Sequence, residues 1–432
     1  MNISNDFSIE NGVLEKYCGE DVDIAIPDGV ISIGDDVFSN YESLRSVKIP
    51  DSVMSIGDFS FFGCSNLVSV EIPNNVTCIG ADAFSGCEKL KELTIGTGVT
   101  SIGYAAFSYC ESLENVIIPD SVESIDHEAF LGCKSLKSIS LGSKLESIGW
   151  DVFKDCDSIT NIHVDENNQN YKSIDGNLYS KDGKTLIKYA VGKSATSFEI
   201  PNGVTDIGYG AFRLCRSLIS VTIPEGVNTI GGCAFSRCKA LKSITIPNSI
   251  TNIEFEAFAL CRSLQYYEKD GIKYLGNNEN NYLFLVGNIS SSKKTATIDS
   301  NCRIISDSAF KNRSSLKKVT IPDNVTSIGA FAFDGCSALT SITIPNGVTV
   351  ISTGMFMKCS SLTSITIPSS VTRIYSAFSG CSSLKSITIP DSVTNIDNNL
   401  FTSLEDKKII KGHAGSYAEV YAKKNDLPFE EI

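Results

Sequence analysis

One residue type constrains this chain more than any other. Phenylalanine recurs at Phe38, Phe61, Phe84, Phe107, Phe130 and Phe153, each 23 residues after the last, then at Phe212, Phe235 and Phe258, at Phe310, Phe333 and Phe356, and at Phe378 and Phe401. Three residues after most of them stands cysteine, so that eleven of the fifteen cysteines, from Cys64 to Cys381, share one column. A fixed period between about 20 and 50 residues means one supersecondary unit stacked on copies of itself, each hiding its apolar face only against its neighbours. At 432 residues the chain is long enough for two or three globular domains. A solenoid grows by adding turns to one core, however, and one elongated body is expected.

Each unit reads alike. In residues 336–358, Leu339, Ile342 and Ile344 alternate with Ser341 and Thr343, the period of two that marks a strand with one buried face. Pro345-Asn346-Gly347 then makes a turn, and Val348 and Ile351 point back inside. The next segment, such as Ala332 to Cys336, is too short for a full α-helix and predicts a 3₁₀ or single helical turn. Phe333 there fills the wide part of the coil, a burial worth about 1.5–3 kcal/mol.

The period breaks at places that share a device. Phe7 to Leu14 is strand, Asn11-Gly12 turn and strand, a hairpin signal that caps the first coil. Between Phe153 and Phe212 the gap is 59 residues, and its surplus holds a meander through Tyr171–Tyr179, Lys181–Lys184 and Thr185–Ala190. Between Phe258 and Phe310 it is 52, with a hairpin about Asp270-Gly271, a strand Tyr282–Val286 and a loose return loop over 287–296. Ser416-Tyr417-Ala418-Glu419 reads as a capping box for a helix to about Lys424, stopped by Asn425 and Pro428. The expected order is an N-terminal hairpin cap (1–26), repeat block one (27–164), meander (165–197), block two (198–265), hairpin insertion (266–297), block three (298–406) and C-terminal cap (407–432).

Composition and motifs exclude more than they assign. A net charge of -13 argues against nucleic acid, whose phosphates require a clustered basic face. Met1 to Asp21 is polar and acidic, without the basic head and apolar run of a signal peptide, and no run of about 20 apolar residues offers a membrane span. Column cysteines on stacked turns have parallel Cβ vectors, poor geometry for bridging. They read as free core thiols, which favours a reducing or anaerobic setting. His127, His163 and His413 stand in no metal spacing, and no G-x-S-x-G elbow or phosphate loop occurs. The clusters Asp165–Asn168 and Asn277–Asn281 match no calcium loop and read as polar turns. No catalytic residue, cofactor or metal site is expected.

The pattern L-x-S-I-T-I-P-x-S-V-T-x-I-G-x-x-A-F-x-G-C-S-S, carried by Leu67 to Cys87, Leu218 to Cys238, Leu316 to Cys336 and their sister turns, closely resembles the BspA-like leucine-rich repeat proteins. The resemblance implies a leucine-rich-repeat solenoid, and with the counts above the expected fold is an α/β solenoid, a right-handed superhelix of about fourteen turns, mainly short parallel β-strands with 3₁₀ or short helical turns, two β-hairpin insertions and a short C-terminal helix. It also implies non-enzymatic recognition or adhesion, with a protein or cell-surface ligand, on a bacterial or protist surface. An inert spacer module is the alternative, and a hydrolytic enzyme a more distant one.

Two surfaces are the candidates for such work. The outward first-strand positions carry Lys48, Glu71, Thr94 and Ile117, a varied set. Further on they become a hydroxyl lattice of Ser220, Thr222, Ser243, Thr245, Lys318, Thr320, Ser341, Thr343, Ser364, Thr366, Ser386 and Thr388. The insertions supply Tyr171, Tyr179, Tyr267, Tyr274 and Tyr282 as candidate anchors, since loops on a rigid scaffold often recognise partners.

Overall fold

The structure is a computed structural model, and it describes residues 6–287, 290–397, 399–401 and 408–432. Parts of the expected N-terminal cap, return loop, third repeat block and C-terminal cap lie outside those residues. The chain is a parallel-strand solenoid of about 18 turns with one short helix, some 80–85 Å long at roughly 4.8 Å per coil. Each coil lays down two short strands joined by the proline turn. Ser69–Glu71 pairs with Glu92–Thr94 in a first column, and Cys78–Ile79 pairs with Ser101–Ile102 in a second. Val70 and Ile79 point inside and are buried.

Counting phenylalanines predicts fourteen turns, too few, because other rings fill the same slot where the repeat breaks. Tyr17 packs on Phe38 with centroids 5.5 Å apart and Tyr189 stacks on Phe212 at 5.1 Å, while at the second insert Phe284 reaches Phe258, at 5.9 Å, from the second-column strand itself. The inserts themselves also supply second-column strands: Thr185–Lys188 pairs with Asp206–Ile207, and Phe284–Gly287 with Ile304–Ile305.

The third side of the coil is not helical, contrary to expectation. Phe59, Phe61 and Gly63 donate their N–H groups to the carbonyls of Ala81, Ala83 and Ser85 in the next coil, at 2.8, 2.7 and 2.8 Å. Donors spent between coils are not free to close consecutive helical turns within one. Aiming them along the stack requires left-handed residues twice per coil, at Phe59 (φ 55°) and Gly63 (φ 70°). Glycine or asparagine takes the second of these places at Asn40, Gly63, Gly86 and Gly132, where L side chains are otherwise strained. Gly103 serves a different need, since a Cβ there would stand 2.8 Å from the Gly80 carbonyl carbon.

Inside, the rings stack nearly face to face, with Phe61–Phe84 centroids 4.9 Å apart and planes 4° from parallel. The cysteine column has a specific partner. Cys64 Sγ donates to Phe38 O at 3.1 Å and Cys336 Sγ to Phe310 O at 3.1 Å, one coil back in each case. That carbonyl has a second lone pair left after the short turn, and a thiol is the small donor that reaches it. All fifteen cysteines are free and thirteen are buried, Cys18 and Cys78 being exposed. Burial pushes the Cys64 thiol up to about 12, so such thiols stay protonated and inert.

The ends and inserts follow the sequence reading with local differences. Phe7–Glu10 pairs antiparallel with Val13–Tyr17 about Asn11 and Gly12, whose φ of 52° and 81° form the tight turn. Both inserts are three-stranded: Tyr171–Ile174, Asn177–Ser180 and Thr185–Lys188 in one, Tyr267–Lys269, Ile272–Leu275 and Phe284–Gly287 in the other. The helix spans Tyr417–Lys424, but the Ser416 hydroxyl makes no capping bond and Glu419 reaches back to Gly415 N–H at 2.7 Å. The carboxylate thus satisfies the N–H before the N-cap in place of the capping box's own pair of bonds.

Candidate binding surfaces

The outward first-column residues lie on one exposed sheet face. Lys48, Glu71, Thr94 and Ile117 are open to solvent, as are Thr222, Ser243, Thr245, Lys318, Thr320, Ser341, Thr343, Ser364, Thr366 and Thr388, with Ser220 and Ser386 partly covered. The pleat explains this, because Val47, Val70 and Val116 between them turn inward.

The insert tyrosines behave otherwise. Tyr179 and Tyr274 are fully buried and Tyr171 and Tyr282 half-buried against the core, leaving Tyr267 exposed. The inserts serve as coils, and a ring filling a coil is spent on packing. Tyr179 and Tyr274 are thus withdrawn as surface anchors. The polar clusters are turns: Asp165 Oδ1 accepts from Asn167 N–H at 2.8 Å, and Asn277 Oδ1 from Glu279 N–H at 2.9 Å. Among the described residues no group of three or more His, Cys, Asp or Glu is placed to hold a metal.

A feature that the sequence reading missed lies beside the second column. The second residue after the second-column isoleucine points outward, and it is Tyr104, His127 and Trp150 at three successive coils, Tyr209 two coils on, past the first insert, and Phe255 two coils further, past Gly232. Four of these five rings are counted among the exposed large apolar side chains, and Trp150 is 71% exposed. His127 meets Trp150 edge-on with centroids 4.2 Å apart, and Tyr209 and Phe255 lie 6.1 Å apart. Elsewhere the same position holds Asp35, Asp58, Ala81, Asp307, Ala330, Thr353 and Ser376. The signal was a register position, readable only when coils are aligned on their second-column isoleucines.

Along this row runs a groove of about 590 Å³, floored by the repeat glycines, with Ser101, Ser124 and Ser147 on one side and Tyr104, His127 and Trp150 on the other. Its polar groups are mutually engaged. Tyr104 donates to Glu128 at 3.1 Å, and Asp126 accepts from His127 through both ring and backbone, which holds its carboxyl below the usual carboxylate range. His163 lies outward on its strand, and His413 pairs with Asp391 at 2.7 Å near the other end of the chain. The three histidines do not come together. Exposed large apolar side chains also have a boundary: among the described residues none occurs between Tyr267 and Tyr417.

Comparison with known proteins agrees with the geometry. The BspA type leucine-rich repeat region matches residues 8–116, 59–183, 189–302 and 280–406. A leucine-rich repeat protein from Bacteroides ovatus of known structure is 27% identical over 94% of this chain and 97% of its own, with a TM-score of 0.51. A leucine-rich cell surface protein from Faecalibacterium prausnitzii is 28% identical over 92% and 93%, with a TM-score of 0.43. The pneumococcal vaccine antigen PcpA is 20% identical over 95% and 78%, with a TM-score of 0.42. No curated protein matches.

Proposed function

The chain belongs to the BspA-type leucine-rich repeat family, and from that starting point we propose that it recognises a protein or cell-surface ligand without chemistry, through its N-terminal and central coils. The observation that carries this reading is the row Tyr104, His127, Trp150, Tyr209 and Phe255, whose first three members line an open groove. Aromatic side chains held rigidly at a surface are the usual hot spots of recognition, because little entropy is lost when they are covered. The varied sheet positions Lys48, Glu71, Thr94 and Ile117 belong to the same part of the chain, and on the first-column face Lys48 and Glu71 add charge. The coils between residue 298 and the C-terminal cap carry a hydroxyl face with no exposed large apolar group among the described residues before Tyr417, and this favours a spacer role for that stretch.

Binding of the purified protein to immobilised matrix proteins and to intact cells tests the reading. The variant Tyr104→Ala with Trp150→Ala is expected to lose tenfold or more in affinity, and Lys48→Glu with Glu71→Lys to lose less. Ser341→Ala with Thr343→Ala is expected to bind as the parent does. Equal loss at the hydroxyl face, or no loss at the aromatic pair, would remove the groove from consideration.

A further inference from the structure

The first insert makes its coil two residues short. Four residues lie between Ile207 and Phe212 in a regular coil, whereas only Ile187 and Lys188 lie between Leu186, which pairs with Ile207, and Tyr189, which stacks on Phe212. The omission opens a cleft of about 180 Å³, with Trp150 and Asp151 on one wall, Tyr209 and Gly210 on the other, and Lys188 among its lining.

Donors face this cleft without acceptors. One coil earlier, Glu128 and Phe130 N–H groups donate to the carbonyls of Trp150 and Val152, both at 3.1 Å. Their counterparts Asp151 and Phe153 line the cleft, and their N–H groups meet no acceptor among the described residues. Asp151 has a φ of 55°, the left-handed conformation that turns successive N–H groups into an anion-binding concavity. Lys188, only 9% exposed, donates to Gly210 O at 3.2 Å and forms no ion pair among the described residues. The carboxylate on the same wall, Asp151, is occupied by Arg213 at 3.2 Å and Lys154 at 3.3 Å. A buried ammonium without a counter-ion is costly unless something supplies one, and burial accordingly pushes Lys188 below its ordinary range.

We infer that this cleft is a binding site for an oxyanion, a carboxylate, phosphate or sulfate group, held by the Lys188 ammonium and the Asp151 and Phe153 N–H groups between the rings of Trp150 and Tyr209. The inference stands apart from the recognition reading, since an anion site requires no protein partner. The second insert provides an internal contrast. Its equivalent cleft is lined by Glu254, Glu256 and Asp307, and Gly287 stands where Lys188 does, so it repels the same group.

The only tryptophan of the chain stands at the cleft mouth and reports on it. Trp150 emission is followed while sodium phosphate, sulfate and acetate are added at constant ionic strength, with chloride as the reference. A saturable change with at least one oxyanion, absent with chloride and weakened at least tenfold in Lys188→Met, is expected, and the order among the three salts tells which group fits. Because Lys188→Met could perturb folding, the parent protein labelled with 15N-phenylalanine supplies the second measurement, in which the Phe153 amide should shift along the same saturation curve. Emission that tracks ionic strength whatever the salt, an unmoved Phe153 amide, or a correctly folded Lys188→Met that titrates like the parent would overturn the proposal.

Discussion

The two inserts enter the solenoid by the same route and leave it in different states. Both replace a coil with an antiparallel three-stranded sheet whose last strand rejoins the second column. At the first, the core runs on without interruption, from Leu14 through Tyr179 and Tyr189 to Phe258 and beyond. At the second it divides: Leu275, Leu283, Phe284 and Ile304 pack with the coils before, while Ile272, Tyr274, Leu285 and Ile305 pack with those after. Alternate residues of one pair of strands thus face two different cores. In a stack stabilised by nearest-neighbour contacts, the weakest junction decides where cooperativity ends.

The largest expected effect tests that difference directly. Tyr179 and Tyr274 are equally buried, and replacing either with alanine should cost about 3–5 kcal/mol. In Tyr274→Ala the loss falls at the divided junction, so urea unfolding followed by hydrogen exchange should separate into two transitions, the coils after residue 305 and those before 265. In Tyr179→Ala the core on either side remains one body, and a single transition at lower urea is expected. The conservative pair sharpens the contrast. Tyr274 accepts a hydrogen bond from Asp299 N–H at 3.2 Å, whereas the Tyr179 hydroxyl is buried without a partner. Tyr274→Phe should therefore cost about 1 kcal/mol and Tyr179→Phe nothing or less, since the second removes an unsatisfied group.

Much of this was legible beforehand, and the limits are physical. Stacking could be read because Phe38 to Phe153 repeat without drift and the alternation about Ser341 and Thr343 sets which faces are buried. The inserts could be read as strands from their Asp-Gly turns, but not that Tyr189 would continue the ring column or Phe284 close on Phe258, because their register depends on the pairing of Leu186 with Ile207 and of Phe284 with Ile304. The non-helical third side was hidden for a similar reason: its hydrogen bonds run between residues 22 apart, as from Phe61 N–H to Ala83 O, beyond any local pattern. Of the candidate sites, the exposed sheet residues were visible as a period of two. The aromatic row and the first cleft were not, since one needs coils aligned and the other arises from two residues that are absent.

A smaller effect concerns how the second insert is tied down. Lys269 donates to Asp299 at 2.7 Å, and the Asp299 side chain is only 3% exposed. Desolvation pushes that carboxyl up, but hydrogen bonds from Lys269 and Asn301 outweigh it and hold it below the ordinary value. Stability from a depressed carboxyl is present above its unfolded value and is lost as pH falls through the folded one. Lys269→Met should therefore lower Tm at pH 7, moderately because Asn301 still donates to Asp299, and the difference from the parent should vanish under acid conditions near pH 2. Among the described residues no comparable carboxylate anchors the first insert, where Lys193 donates to Asp175 O and to Asn177 Oδ1 at 3.1 Å, so Lys193→Met should show no such recovery in acid.

The smallest effect separates the clefts by charge. Asp307 accepts from Ala330 N–H at 2.6 Å, yet desolvation, with Glu256 and Glu254 nearby, raises its carboxyl above the ordinary value. Ionising a carboxyl whose folded value is raised costs the native state, so stability declines as pH climbs from the unfolded value to the folded one and stays lower above it. Asp307→Asn keeps an oxygen for Ala330 and removes the charge. It should raise stability at pH 7 by under about 1 kcal/mol and change nothing well below the carboxylate range, as thermal unfolding across pH 2–7 will show. At the first joint the corresponding residue is Tyr209, with no carboxyl to neutralise, and the destabilised charge is instead the Lys188 ammonium. Removing it in Lys188→Met should stabilise most at low pH, where lysine is fully protonated, and least in alkali. Opposite pH slopes for the two variants would show that one chain geometry carries two clefts of opposite sign; parallel slopes would show that charge plays no part in distinguishing them.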